Sequence, residues 1–170
     1  MEEKRPTTGK FGLIYGVIAA GIGIVFTFML MAGDMLYDQS PVKNIVQILI
    51  FVGVVIAAIY NFRKANNGFL TIKKALGIGF IASLVTAILS IAFTYILANF
   101  IEPDFWDKFS EIVRVAIEES NPNLTPEQVE GGVSMQIMFF YPMILIFNLF
   151  IGFITALITG LILKKSENLD

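Results

Sequence analysis

Four hydroxyl side chains, Ser83, Thr86, Ser90 and Thr94, follow one another at steps of three and four, which places them on one face of a helix. Within an apolar run, such a row could line a polar path. The competing use of a hydroxyl there is a hydrogen bond back to a carbonyl of its own helix, or across to a neighbouring helix. Asn148, the most polar residue deep in the last apolar run, carries a carboxamide that needs partners when buried, and it is the candidate for an interhelical hydrogen bond. A third pattern lies between residues 118 and 132. With Glu119 as the first position, Asn121, Asn123 and Glu130 fall at the third, fifth and twelfth positions of a calcium-binding loop. Leu124, however, stands where that loop needs glycine, and Pro122 and Pro126 restrict the backbone. The same residues are explained with less strain by a helix start, with Thr125 as N-cap, Pro126 at the first helical position and Gln128 closing a capping box. Gly131 and Gly132 would then end a short helix.

Other chemistry is excluded by what the chain lacks. It has no cysteine and no histidine, so thiolates, disulfides, the commonest general base and the commonest metal ligand are all absent. The acids and Tyr141 form no triad, metal cluster or phosphate loop. Catalytic, cofactor-binding and metal-binding residues are therefore all expected to be none, the chain is expected not to be an enzyme, and a net charge of −2 gives no reason to expect nucleic acid as a partner. No Asp, Glu, Lys or Arg lies deep in any apolar run, where ion-coupled transporters usually place one.

The elements that must position these residues are long and apolar. The chain is 56% hydrophobic and 15% charged, where soluble domains are about 45–50% apolar and about a quarter charged. Its mean hydropathy is +0.75. Four runs are long enough to cross a bilayer, at about 20 residues per crossing: residues 11–32, 45–62, 75–100 and, within a longer run from Val133 to Leu163, residues 143–163. Pro142 marks the expected bend in the last, leaving Val133 to Tyr141 as an interfacial or protruding extension. A signal peptide is the rival reading of the first run, but signal h-regions span only about 7–15 residues. Helices in lipid associate through close packing at small residues, and each run has such a stripe: Gly12, Gly16 and Ala20; Gly53 and Ala57; Ala75, Gly79, Ser83 and Ala87; Gly152, Ala156 and Gly160. These stripes predict a tight bundle, with homo-oligomerisation through one of them as the alternative.

Lysine and arginine alternate between the flanking segments. Lys4, Arg5, Lys10, Arg63, Lys64, Lys73, Lys74, Lys164 and Lys165 fall on one side, and Lys43, Lys108 and Arg114 on the other. The positive-inside rule puts the first set, and both termini, in the cytoplasm. The loop of residues 101–132 is then outside. It carries most of the acids and an amphipathic helical pattern over residues 103–119, with Pro103 in the first turn and Phe105, Phe109, Ile112 and Val113 on one face beside Trp106. These five aromatic and aliphatic residues form the candidate interaction surface. On the cytoplasmic side, Asn67-Gly68 signals a turn, and the basic segment around it is expected to contact lipid headgroups.

Four segments, residues 11–18 (FGLIYGVI), Gly68 to Leu76 (GFLTIKKAL), Glu102 to Phe105 (EPDF) and the closing Lys164-Lys165, resemble the bacterial domain-of-unknown-function family 4199. The resemblance implies four spans and a bacterial inner-membrane location, and it implies no function. The expected fold is thus one all-α membrane domain over residues 1–170: a four-helix bundle with both termini inside and an amphipathic helix in the outer loop. The expected function is a non-catalytic interaction or structural component that meets membrane lipid, a membrane protein partner or its own copies. A small oligomeric transporter or channel is the alternative, resting on the hydroxyl row and Asn148.

Overall fold

The computed structural model describes residues 6–165. Lys4 and Arg5 lie outside them. The described chain is helical: α1 (Thr8–Ala32), α2 (Pro41–Ala65), α3 (Ile72–Ile96), which runs on into a π-turn at Leu97–Ile101, α4 (Phe105–Ser120) and α5 (Pro126–Leu163). Four helices, those of α1, α2, α3 and α5, are long and apolar enough to cross a membrane. Their outward faces carry large apolar side chains such as Leu13, Phe80, Phe153 and Ile162 in the open, which water would penalise and lipid accepts.

Local signals set the helix ends. The hydroxyls of Thr7, Ser40 and Thr71 accept from the first-turn amides of α1, α2 and α3. Ser40 and the proline behind it start α2 four residues before the apolar run at Ile45. Asn67 and Gly68 take left-handed φ values of 53° and 83°, and so reverse the chain between α2 and α3. Thr125 and Gln128 form the full capping box of α5. Two expectations fail nearby. Pro103 lies before α4, which begins at Phe105. Gly131 and Gly132 do not end a helix, since α5 continues through them, and through Pro142, for 38 residues, or about 57 Å. At Gly132 the gain is packing: the Ile117 side chain of α4 lies where a Cβ would stand. That contact helps offset the helix propensity lost at glycine, about 1 kcal/mol per residue.

The central helix is α3, pressed between α1 and α5. Gly12 and Gly16 of α1 meet Ile78, Ile81, Ala82 and Val85 of α3, so the two helices run parallel. Gly79 faces Ala156 and Gly152, and Ala75 faces Gly160, so α3 and α5 run antiparallel. Three of the four small-residue stripes are therefore intramolecular seams. The fourth is not: Gly53 is exposed with nothing near it, and α2 packs instead through Phe51, Val55, Ala58, Ile59 and Phe62. Those residues join Leu70, Ala75, Ile78 and Ala156 in the main core. The helix directions gather Lys10, Arg63, Lys64, Lys73, Lys74, Lys164 and Lys165 at this end of the bundle, where the Leu70 and Lys165 backbones pair by two hydrogen bonds of 3.0 and 2.9 Å. A second, aromatic core of Leu97, Ala98 and Phe105, with Tyr37, Trp106, Phe109 and Phe140 against it, closes the opposite, acidic end.

Candidate functional site

Between the two cores the bundle does not close. A cavity of about 810 Å³ lies there, with walls from every helix. Ala19 and Gly23 of α1 and Thr86, Ser90 and Thr94 of α3 form its back, where the small residues of α1 keep the wall low. Phe51 and Ile151 make its floor against the main core, and Phe109 and Phe140 make its roof from the aromatic core. The front is formed by α2 (Asn44, Gln47, Ile48) and α5 (Gln136, Phe139, Met143, Phe147, Asn148). Asn44, Gln47, Gln136, Phe139, Met143 and Phe147 are exposed, whereas the lining residues of α1 and α3 are buried or half-buried. The mouth therefore opens sideways, between α2 and α5.

Three of the four hydroxyls of the α3 row face this space, and Ser83 does not. Ser83 is fully buried against Gly152 in the α3–α5 seam and donates to the Gly79 carbonyl at 2.7 Å. The row diverges because α5 crosses α3 at Ser83, while Thr86, Ser90 and Thr94 lie beyond the crossing. The Thr86 hydroxyl lies 2.8 Å from the Ala82 carbonyl and 3.1 Å from the Gly16 carbonyl of α1, and Thr94 donates to Ser90 at 2.9 Å. Asn148 does not form the expected interhelical bond. Its Nδ2 donates to the Ile144 carbonyl, one turn back on α5, at 2.8 Å, the local bond open to a polar side chain in a helix that borders a cavity. The carboxamides of Asn61, Asn66, Asn99, Gln128 and Asn148 are bonded to the backbone, whereas the other three that line the cavity, Asn44, Gln47 and Gln136, are not. Sequence reasoning missed these last three. The available signal was the spacing of Asn44 and Gln47, one helical turn apart at the start of an otherwise apolar helix.

The five residues singled out in the 101–132 segment point mostly inward. Phe105 and Val113 are buried, and Trp106, Phe109 and Ile112 are half-buried. Phe105 packs on Tyr37, Trp106, Phe109 and Phe140 with ring centroids 5.1 to 6.3 Å apart. Their face is thus mostly occupied by the chain itself, and the side of α4 left open is acidic, with Arg114 bridging Glu111 and Glu130. Beneath α4, the Tyr37 hydroxyl is buried without a hydrogen-bond partner. Burial first, and then the charge of Glu102, push its pKa up to about 12. Glu102 itself pairs with Lys108 at 3.2 Å, and the Lys108 ammonium stands 4.9 Å from the Tyr37 ring centre.

Chemically, the cavity is suited to binding a small, largely apolar molecule. Its size is that of pockets holding small organic ligands, about 300–1,000 Å³, its walls are mainly apolar, and its polar groups are neutral amides and hydroxyls. Among the described residues, no group of three or more His, Cys, Asp or Glu is placed to hold a metal ion. The model of a family described as "Protein of unknown function (DUF4199)" matches residues 14–165. No curated protein and no solved structure matches the chain.

Proposed function

The chain belongs to the DUF4199 family of proteins of unknown function, and on that premise we propose that it is a non-catalytic binding component of the bacterial inner membrane, holding a ligand drawn from the bilayer. The observation that carries this reading is the laterally open cavity, which gathers Thr86, Ser90, Thr94 and Asn148 with three further carboxamides in an otherwise apolar bundle. Of these seven, the Ser90 hydroxyl and the carboxamides of Asn44, Gln47 and Gln136 make no internal hydrogen bond, and since unsatisfied polar groups in hydrocarbon cost several kcal/mol each, an occupant that answers some of them is favoured. Seven basic residues gathered at one end of the bundle, against Lys43, Lys108 and Arg114 at the other, support an orientation with both termini in the cytoplasm. The cavity and α4 then occupy the outer half, where the acidic face of α4 remains free for a protein partner. Conduction is less well supported. The α3–α5 seam and the core around Val55, Ile59, Phe62 and Ile78, all at 1% exposure or less, block the half of the bundle below the cavity.

Native mass spectrometry of the full chain, purified in lipid nanodiscs, tests the reading. The protein is expected to retain one lipid-sized molecule, and Ser90→Phe, which places a ring in the cavity, is expected to lose it while keeping the helical content of the parent. Equal retention by both forms, or no retained molecule in either, would overturn the proposal.

A further inference from the structure

We propose that the occupant of this cavity is a neutral lipid alcohol, a molecule with a free hydroxyl beside ester or ether oxygens and with apolar chains, of which a diacylglycerol is the simplest example. The inference rests on the binding role proposed above, and it follows from which hydrogen bonds remain available on each wall.

On the α3 wall two of the three hydroxyls, those of Thr86 and Thr94, are already donating, and only that of Ser90 keeps its hydrogen free. A hydroxyl has one hydrogen and two lone pairs. Thr86 commits its hydrogen to the Ala82 and Gly16 carbonyls, and Thr94 commits its own to the Ser90 carbonyl. Towards the cavity these two side chains therefore present only acceptors, and a ligand that meets them must bring a donor. Ketones, esters and quinones have none. An alcohol has one.

On the opposite wall the supply is reversed. Asn148 uses one N–H on Ile144 and keeps a second N–H and its oxygen. Gln47 and Gln136 stand at the mouth with both N–H groups free of internal partners. Ester oxygens beside the hydroxyl would accept from these amides, and a ligand carrying both groups would satisfy the two walls together.

Charge removes the other lipid classes. No ionisable side chain lines the cavity. The lysine nearest in sequence, Lys43, donates its ammonium to the Leu36 carbonyl at 2.7 Å, and Lys108 is paired with Glu102. A phosphate placed in this space would be desolvated without a counter-ion, which costs far more than a neutral headgroup. The exposed rim of Phe139, Met143 and Phe147 offers apolar surface along which chains can extend into the bilayer, and the route of entry is the gap between α2 and α5.

The test is binding of three probes to the purified full chain in mild detergent, read by native mass spectrometry: dioctanoylglycerol, dioctanoyl phosphatidic acid and a short-chain ubiquinone. Dioctanoylglycerol is expected to bind one to one and at least tenfold more tightly than either of the others. Thr94→Val removes the acceptor while conserving shape, and it should weaken dioctanoylglycerol about tenfold, roughly the loss of one hydrogen bond. Thr94→Ser should restore binding, and neither variant should change affinity for the ubiquinone. If phosphatidic acid or ubiquinone binds as tightly as the diglyceride, and Ser90→Phe still abolishes binding, the alcohol assignment is wrong and the cavity reading stands. If no probe binds in a way that Ser90→Phe abolishes, both are wrong, including the case in which any acyl chain fills the space.

Discussion

Gly79 carries a close approach between α3 and α5, and replacing it by alanine measures how strongly the seam holds the bundle. A Cβ at this position would overlap the Ala156 methyl and lie 3.1 Å from the Gly152 carbonyl oxygen. Neither neighbour has a side-chain torsion through which to retreat, so the two helices must separate along a seam that otherwise packs Ala75 on Gly160 and Ser83 on Gly152. Overpacking of this kind costs about 1–3 kcal/mol, and alanine recovers up to about 1 kcal/mol of helix propensity. The expected net loss is about 1–2 kcal/mol, a factor of about 5–30 in the folding equilibrium. Gly53→Ala is the internal control, because nothing lies within 4 Å of the added atom, and it should leave stability unchanged or slightly raised. Ala156→Gly in the Gly79→Ala background should recover most of the loss. The assay is titration of the full chain from mild detergent into SDS, followed by circular dichroism. Equal midpoints for Gly79→Ala and Gly53→Ala, or no rescue by Ala156→Gly, would refute the seam as the source of cohesion.

Two further outcomes follow from the ends of the bundle. A reporter active only outside the cytoplasm should work when fused near Glu119 and fail when fused after Lys165, and the reverse pattern would invert the orientation. The Tyr37 phenol should ionise late: the difference in phenolate absorbance between the parent and Tyr37→Phe should rise with a midpoint near 12 rather than the ordinary 10. Because a raised phenol pKa favours the neutral form in the folded state, this contribution to stability is intact below pH 10 and is lost as pH climbs towards 12. A midpoint at the ordinary value would show that Tyr37 is open to water.

The spans were legible because an uninterrupted apolar run such as residues 11–32 has few alternatives, and the cap at Thr125 was legible because Thr, Pro and Gln at fixed offsets act within one turn. What failed to be legible depended on neighbours remote in sequence. Gly131-Gly132 reads as a stop by local propensity, and only the approach of Ile117 shows what a small residue gains there. The stripe at Gly53 has the same spacing as the one at Gly79, yet nothing in that spacing says which faces meet. The hydroxyl row was visible as a row, but its division into a seam residue, Ser83, and three cavity residues depends on where α5 crosses. Asn44, Gln47 and Gln136 looked like scattered polar interruptions, since only the tertiary fold brings the start of α2 beside the first half of α5.

The bundle is sealed in one half and open at its side in the other, and the absence of cysteine from the sequence allows that division to be measured residue by residue. Single Ser90→Cys and Ser83→Cys variants, reconstituted in lipid vesicles, are treated with a small membrane-permeant maleimide. The thiol at position 90 is expected to react in the folded protein, and more slowly once dioctanoylglycerol is added, while the thiol at position 83 reacts only after unfolding in SDS. Equal reactivity at the two positions, or reaction at 83 ahead of 90, would contradict the division of the bundle into a seam and a cavity.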